Sequence, residues 1–269
     1  TPRPSDAWIT FTGIGQGQFE SNVVLPRLVD GAVVGSLLLH NWQQDPGWRH
    51  PRRDWDGYES MRAACKRGLR KARDAFARRG VRPYHIALWS VDNARVNPEY
   101  TNQGIGLAMY EDALYALQRA DGHSILTAQV CRPTPTASTS IEAARVWKAL
   151  ERRYVGGPYA VTPFPRPRQE LRVAKAFAER LVAQLENAIE EDAGEWDGPT
   201  TRVLWKRFDT LYGLLGCGST RCAYPTPGRR YVVKLPRVGY GMDDNETEGE
   251  RWVEARPRTR RLLAPVIGY

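Results

Sequence analysis

A layered α+β fold, with a mixed sheet flanked by helices, is the architecture the sequence predicts. Three observations carry that expectation. Two apolar runs of strand length flank Asp30-Gly31, a strong hairpin signal. A strand candidate at 84–96 runs through a Gly-x-Gly turn into an amphipathic stretch at 104–119. Further apolar runs then alternate with stretches of helical period as far as residue 153.

Taken in order, Trp8 to Ile14 reads as a first strand, closed by Gly13, Gly15 and Gly17. The hairpin arms are 22–29 and 32–39, and 43–57 has no period and reads as a loop. Residues 59–79 predict a helix: Met61, Cys65, Leu69, Ala72 and Phe76 recur every three or four positions, with arginines and lysines on the other faces, and Gly80 stops it. Another strand is expected at 124–130, a Pro/Thr/Ser loop at 132–139, and a helix at 140–153 capped by Thr139 or Ser140. Clustered glycines and prolines at 156–158 and 163–167 predict a linker. Residues 169–192 predict a long helix with Leu171, Ala174, Ala178, Leu181 and Leu185 along one stripe, and 193–200 breaks it. The expected domains are therefore 1–160, a helical connector over 161–200, and a small α+β module over 201–269.

Composition narrows the function classes. With 269 residues, 42% hydrophobic content and nine tryptophans, the chain has material for packed cores and is not globally disordered. No apolar run approaches the roughly 18 residues that span a bilayer, and 1–6 lacks the apolar stretch of a signal peptide. A cytoplasmic, non-membrane protein is the expectation, with Thr1 exposed by simple removal of an initiator methionine. The four cysteines form no Cys-x-x-Cys pair and the four histidines are scattered, so a metal site is not expected and the cysteines are read as reduced. A net charge of +9 favours an anionic partner: a nucleotide, nucleic acid or an acidic protein.

The most informative stretch is Val96 to Tyr110. Glycines at a strand-to-helix junction let the backbone approach a ligand, and the first helical N–H groups, at the positive end of the helix dipole, suit a phosphate. With the Val96-Asn97-Pro98-Glu99-Tyr100 lead-in, the turn Thr101-Asn102-Gln103-Gly104-Ile105-Gly106, and the helix Ser140-x-x-Ala143-x-x-x-Trp147-x-x-Leu150, residues 84–154 resemble the core of the GNAT family (Gcn5-related N-acetyltransferases). The resemblance implies that backbone amides of Gln103 to Leu107 hold the pyrophosphate of acetyl-CoA. The strand near Trp89 to Val91 would splay, pair with the pantetheine and orient the thioester for attack by an amine. Thr101 stands where the family keeps Gln or Arg, and Trp147 where many members keep a tyrosine that protonates the leaving thiolate. Tyr154, Tyr110 or a water would then be the acid, Asp92 the base, and Glu99 its alternative. The basic helix 59–79 also follows the hairpin, whereas the family sets its first helices before the second strand.

A second glycine pair, Gly216-Cys217-Gly218, precedes the strand Tyr231-Val232-Val233-Lys234 and resembles the first lobe of a protein-kinase-like fold, with Glu248 or Glu250 as partner of Lys234. No His-Arg-Asp or Asp-Phe-Gly occurs, so phosphoryl transfer from ATP is not expected. The segment reads as a degenerate lobe for packing or protein contact, with weak nucleotide binding through Gly216, Gly218, Lys234 and Glu248 as the lesser alternative. The Trp/Arg-rich stretch at 42–55 suits base stacking, a protein interface or a cap on the sheet. His85 and His123, in apolar contexts, read as core or edge residues. The leading expectation is an acetyl-CoA-dependent N-acetyltransferase acting on an unidentified small-molecule or protein amine. The competing class is a non-catalytic assembly protein that keeps the fold, and nucleic-acid binding rests on charge alone.

Overall fold

The computed structural model describes residues 8–13, 18–24, 33–42, 58–121, 123–131 and 139–256. The expected Asp30-Gly31 turn, the loops at 43–57 and 132–138 and the last thirteen residues fall outside the described residues. The fold is mixed α+β, in two compact units, Thr1–Val173 and Ala174–Tyr269.

The first unit is built on a seven-stranded sheet ordered β1-β2-β3-β4-β5-β7-β6. Its strands are β1 Trp8–Gly13, β2 Gln18–Val24, β3 Val33–Asn41, β4 Ala87–Val96, β5 Ser124–Ala128, β6 Tyr154–Gly157 and β7 Ala160–Pro165. Every neighbouring pair is antiparallel except β4 with β5. The hairpin arms pair from Gln18↔His40 to Val24↔Val33, so the first arm starts four residues before the expected 22. β4 begins at Ala87 rather than 84 because Pro83 opens a 3-10 turn, Pro83–His85, that occupies those positions.

Side-chain alternation along the strands gives the sheet two apolar faces. Leu37, Leu39, Trp89, Val91 and Leu126 pack with Met109 and Ala113 of α2 (Ile105–Asp121) and with Trp147 and Leu150 of α3 (Ile141–Arg153). Leu88, Ile125 and Ala160 pack with Ala72 and Phe76 of α1 (Tyr58–Ala77). Ser140 caps α3, its hydroxyl oxygen accepting from the Ala143 N–H at 3.1 Å.

The expected linker at 156–167 is instead the β6–β7 hairpin. Pro163 and Pro165 are tolerated because β5 reaches β7 only through Leu126↔Val161 and Thr127↔Ala160, leaving the prolines beside β6 alone. Gly157 has a further use, since α1 crosses this hairpin backbone to backbone. A methyl on Gly157 would lie 3.0 Å from Gly68 Cα, and one on Gly68 would strike the Pro158 carbonyl oxygen and lie 3.1 Å from the Gly157 carbonyl carbon.

The cysteines are also corrected. Cys65 of α1 is paired with Cys131, in the 3-10 turn after β5, at a Cα separation of 5.5 Å, and Cys217 is paired with Cys222. The first pair joins positions 66 apart in sequence, and only the packing of α1 over the sheet brings them together.

The second unit holds most of α4 (Glu170–Glu191), α5 (Pro199–Tyr212), a three-stranded antiparallel sheet ordered β10-β9-β8 and α6 (Gly241–Glu254). The strands are β8 Gly216–Cys217, β9 Arg221–Pro225 and β10 Val232–Pro236. The expected connector helix is part of this unit's core: Phe177 of α4 meets Tyr212 of α5 edge to face at 5.1 Å. Asp192 holds the start of α5, accepting from the N–H groups of Thr200 at 3.0 Å and Thr201 at 2.7 Å. Burial alone would raise its carboxyl, but the hydrogen bonds from Thr201 and Thr200 hold it below the ordinary value. Among the described residues no helix is long and apolar enough to cross a membrane.

In an open helix Gly→Ala stabilises by up to about 1 kcal/mol, whereas overpacking costs about 1–3 kcal/mol. Backbone stands in the way at Gly68, so the second effect wins. Gly68→Ala is expected to lower the midpoint of urea unfolding, and an unchanged or raised midpoint would show that the α1 crossing yields freely.

Candidate functional site

The site is built where β4 ends and α2 begins. The Asn97 N–H donates to the Val34 carbonyl at 2.7 Å, holding the end of β4 to β3. The Asn97 side-chain oxygen accepts from the Glu99 N–H at 3.3 Å and starts the 3-10 turn Pro98–Tyr100, closed by the Thr101 hydroxyl donating to the Pro98 carbonyl at 2.9 Å. Asn102 (φ 63°) and Gly104 (φ 83°) are both left-handed, a conformation that costs an ordinary residue about 1–2 kcal/mol and which glycine and asparagine adopt most readily.

The Gly104 carbonyl accepts the first helical bond, from the Ala108 N–H at 3.1 Å. The N–H groups of Ile105, Gly106 and Leu107 therefore precede any intrahelical acceptor, and no hydrogen bond to them from a described residue is present. Side chains contribute little to this end. Ile105 is buried in the core and Leu107 packs against it, while the Gln103 amide donates to the Glu99 carbonyl at 3.2 Å and leaves its buried Oε1 without a partner. Thr101 and Asn102 are exposed.

Gly106 separates two explanations of the glycine pair. If it served only tight packing, an added methyl should clash. It would instead lie 3.8 Å from Val146 Cγ2 and 3.9 Å from Val96 Cγ2, which is ordinary contact. Gly104 is required by its backbone angle; packing does not demand Gly106.

The strand side differs from expectation. Trp89 to Val91 is paired on both edges, with β3 through Asn41↔Trp89 and Leu39↔Val91, and with β5 through Trp89↔Leu126 and Val91↔Ala128. The Trp89 carbonyl also accepts from the Thr127 hydroxyl at 3.0 Å, and the side chains of Trp89 and Val91 lie in the core. The margin of β4 that outruns β5 begins at Asp92. There the register with β3 jumps from Leu39↔Val91 to Leu38↔Asn93, so Asp92 is the extra residue of a β-bulge. Its Oδ1 accepts from the hydroxyl of fully buried Ser90 at 2.5 Å. Ser90 escaped the sequence reading; its only signal was the period-2 spacing to Asp92.

The other named residues differ in exposure. Glu99 is exposed on the 3-10 turn. Tyr154 is 2% exposed in the core at the α3–β6 junction. Tyr110 is buried with its ring 5.5 Å from Trp147, edge to face, and burial pushes its phenol well above the ordinary value. Tyr100, beside the turn and half-buried, is the nearer hydroxyl in sequence.

In the second unit, Lys234 Nζ lies 2.5 Å and 2.7 Å from the Glu248 carboxylate oxygens. Arg221 donates to Glu248 at 2.7 Å and to the Asn245 side chain at 3.1 Å. Burial would raise the Glu248 carboxyl, but Lys234 and Arg221 together hold it below the ordinary value. The cluster ties α6 to β9 and β10 at a half-exposed position, where such pairs are worth about 0–1 kcal/mol. Gly216 and Gly218 sit around the hairpin pinned by Cys217 and Cys222, and Glu250 is exposed.

Among the described residues no three His, Cys, Asp or Glu side chains gather as a metal site. No protein-family model, curated protein or solved structure matches the chain.

The two glycines should respond oppositely to alanine. Gly104→Ala is expected to lower stability by about 1–2 kcal/mol, from the left-handed backbone alone. Gly106→Ala should be neutral or stabilising by up to about 1 kcal/mol, from helix propensity. Thermal melting of the two variants checks this, and a large loss at Gly106 would restore the packing explanation.

Proposed function

We propose that the first unit binds acetyl-CoA, with the N–H groups of Ile105 to Leu107 as its pyrophosphate cradle, and acts as a GNAT-type N-acetyltransferase on an amine. The observation that carries this reading is a helix start that no described residue claims, behind two left-handed residues and set where β4 outruns β5. That is where open α/β sheets place their ligands: at the carboxyl ends of parallel strands, against a helix N-terminus. The bulged margin from Asp92 to Val96 offers main-chain groups on the β5 side to an extended pantetheine. On this reading the pantetheine lies further along β4 than Trp89 to Val91.

The chemistry is aminolysis of a thioester. The amine nitrogen attacks the acetyl carbon, the carbon–sulfur bond breaks, and the amine proton is taken up. Asp92, half-buried and oriented by the Ser90 hydroxyl, is the acceptor that the geometry supports. With Tyr154 and Trp147 in the core, the leaving thiolate takes its proton from solvent or from Tyr100.

The burial of Tyr154 also supports a second reading, an assembly protein that keeps the cradle without turnover. Lys234–Glu248 is a structural tie in both readings.

Acetyl-CoA at a hundred times its dissociation constant should stabilise the protein by about 2.7 kcal/mol, read as a raised melting temperature. Pantetheine lacking the pyrophosphate should give little shift. No shift at millimolar acetyl-CoA would sink both the cradle and the transferase, whereas a shift without acetyl transfer to any amine in a broad panel would favour the assembly reading.

A further inference from the structure

Helix α1 carries a dense set of exposed cations that its packing against the sheet does not use. Its buried face, through Cys65, Gly68, Ala72, Ala75 and Phe76, lies against the sheet and the β6–β7 hairpin. On the rest of the helix and in the turn that follows it, Lys66, Arg67, Arg70, Lys71, Arg73 and Arg78 are all exposed, and none forms an ion pair with a described residue. Among the described residues, Asp74 is the acid that borders the same indentation as Lys66, Arg70 and Arg73.

At 3.6 residues per turn the six fall into two rows. Lys66, Arg70 and Arg73 run along one flank, bordering an indentation shared with Leu69 and Asp74. Arg67, Lys71 and Arg78 run along the other. The crest between the rows carries the exposed Ala63 and Ala77 and the acid Asp74. A helix about 10–12 Å across with cations on both flanks and small residues on its crest matches a groove about 12 Å wide bordered by phosphates, the major groove of B-form DNA. The deep, narrow major groove of duplex RNA does not admit it.

We infer that α1 is a docking element for double-stranded DNA, seated along the major groove with one row of cations on each phosphate backbone. This interaction is independent of the acetyl-CoA site. Asp74, facing the groove floor, opposes the nearby phosphates and weakens binding.

The test is fluorescence anisotropy of a labelled 20-base-pair DNA duplex titrated with the full chain. If all six cations neutralise phosphates, affinity falls about 10³-fold between 50 and 200 mM salt. Lys66→Glu, Arg70→Glu and Arg73→Glu together should weaken binding more than tenfold at 50 mM salt and flatten the salt dependence. Arg202→Glu with Lys206→Glu, exposed cations on α5, should leave binding unchanged. Asp74→Asn should tighten binding, which keeps the inference testable if the triple variant fails to fold. Absence of binding at 50 mM salt, an unchanged affinity in the triple variant, an equal loss in the α5 control, or preference for duplex RNA or single-stranded DNA would each overturn it.

Discussion

The parallel pairing of β4 with β5, in a sheet whose other neighbours are all antiparallel, governs the geometry of the first unit. Parallel neighbours cannot be joined by a tight turn, so the chain must cross over, and α2 is that crossover. Its first turn therefore falls at the carboxyl end of β4. β5 ends at Ala128, opposite Val91, while β4 continues to Val96. Beside each other there stand a strand margin that outruns β5 and a helix start whose N–H groups no described residue claims. Asn102 and Gly104 complete the junction by reversing the chain in the left-handed region.

Charge divides this surface from the one on the other face of the sheet. On the proposed reading, the helix start of α2 receives one or two phosphates through main-chain dipoles, with little dependence on side-chain identity. Helix α1 offers dispersed side-chain cations spread over several turns, suited to a repeating polyanion and strongly screened by salt. A net charge of +9 can serve both, but through different physics.

Helices were the most legible part of the sequence, because the 3.6-residue period of apolar positions survives in a single chain: 169–192 was expected and Glu170–Glu191 found. Strands were less legible wherever pairing, rather than pattern, decided the outcome. The prolines of β7 read as a linker because sequence does not show that β5 stops short of them. The cysteine pairs were hidden for a related reason, since Cys65 and Cys131 meet only through tertiary packing. Within the site, the glycine turn was visible because backbone angle constrains residue type locally. The Ser90–Asp92 contact was not, since it depends on a bulge set by the register of β3. The burial of Tyr154 was equally hidden, since it depends on how α3 and β6 pack against the sheet.

The central claim is that the N–H groups of Ile105 to Leu107 receive the pyrophosphate of a coenzyme A thioester. Amide chemical shifts in ¹⁵N-labelled protein, followed during addition of acetyl-CoA, test it most directly. The account predicts large, saturable shifts at Ile105, Gly106 and Leu107 and along 92–96, with the amides of α1 little changed. Shifts confined to α1, or none at residues 105–107 at saturation, would contradict it.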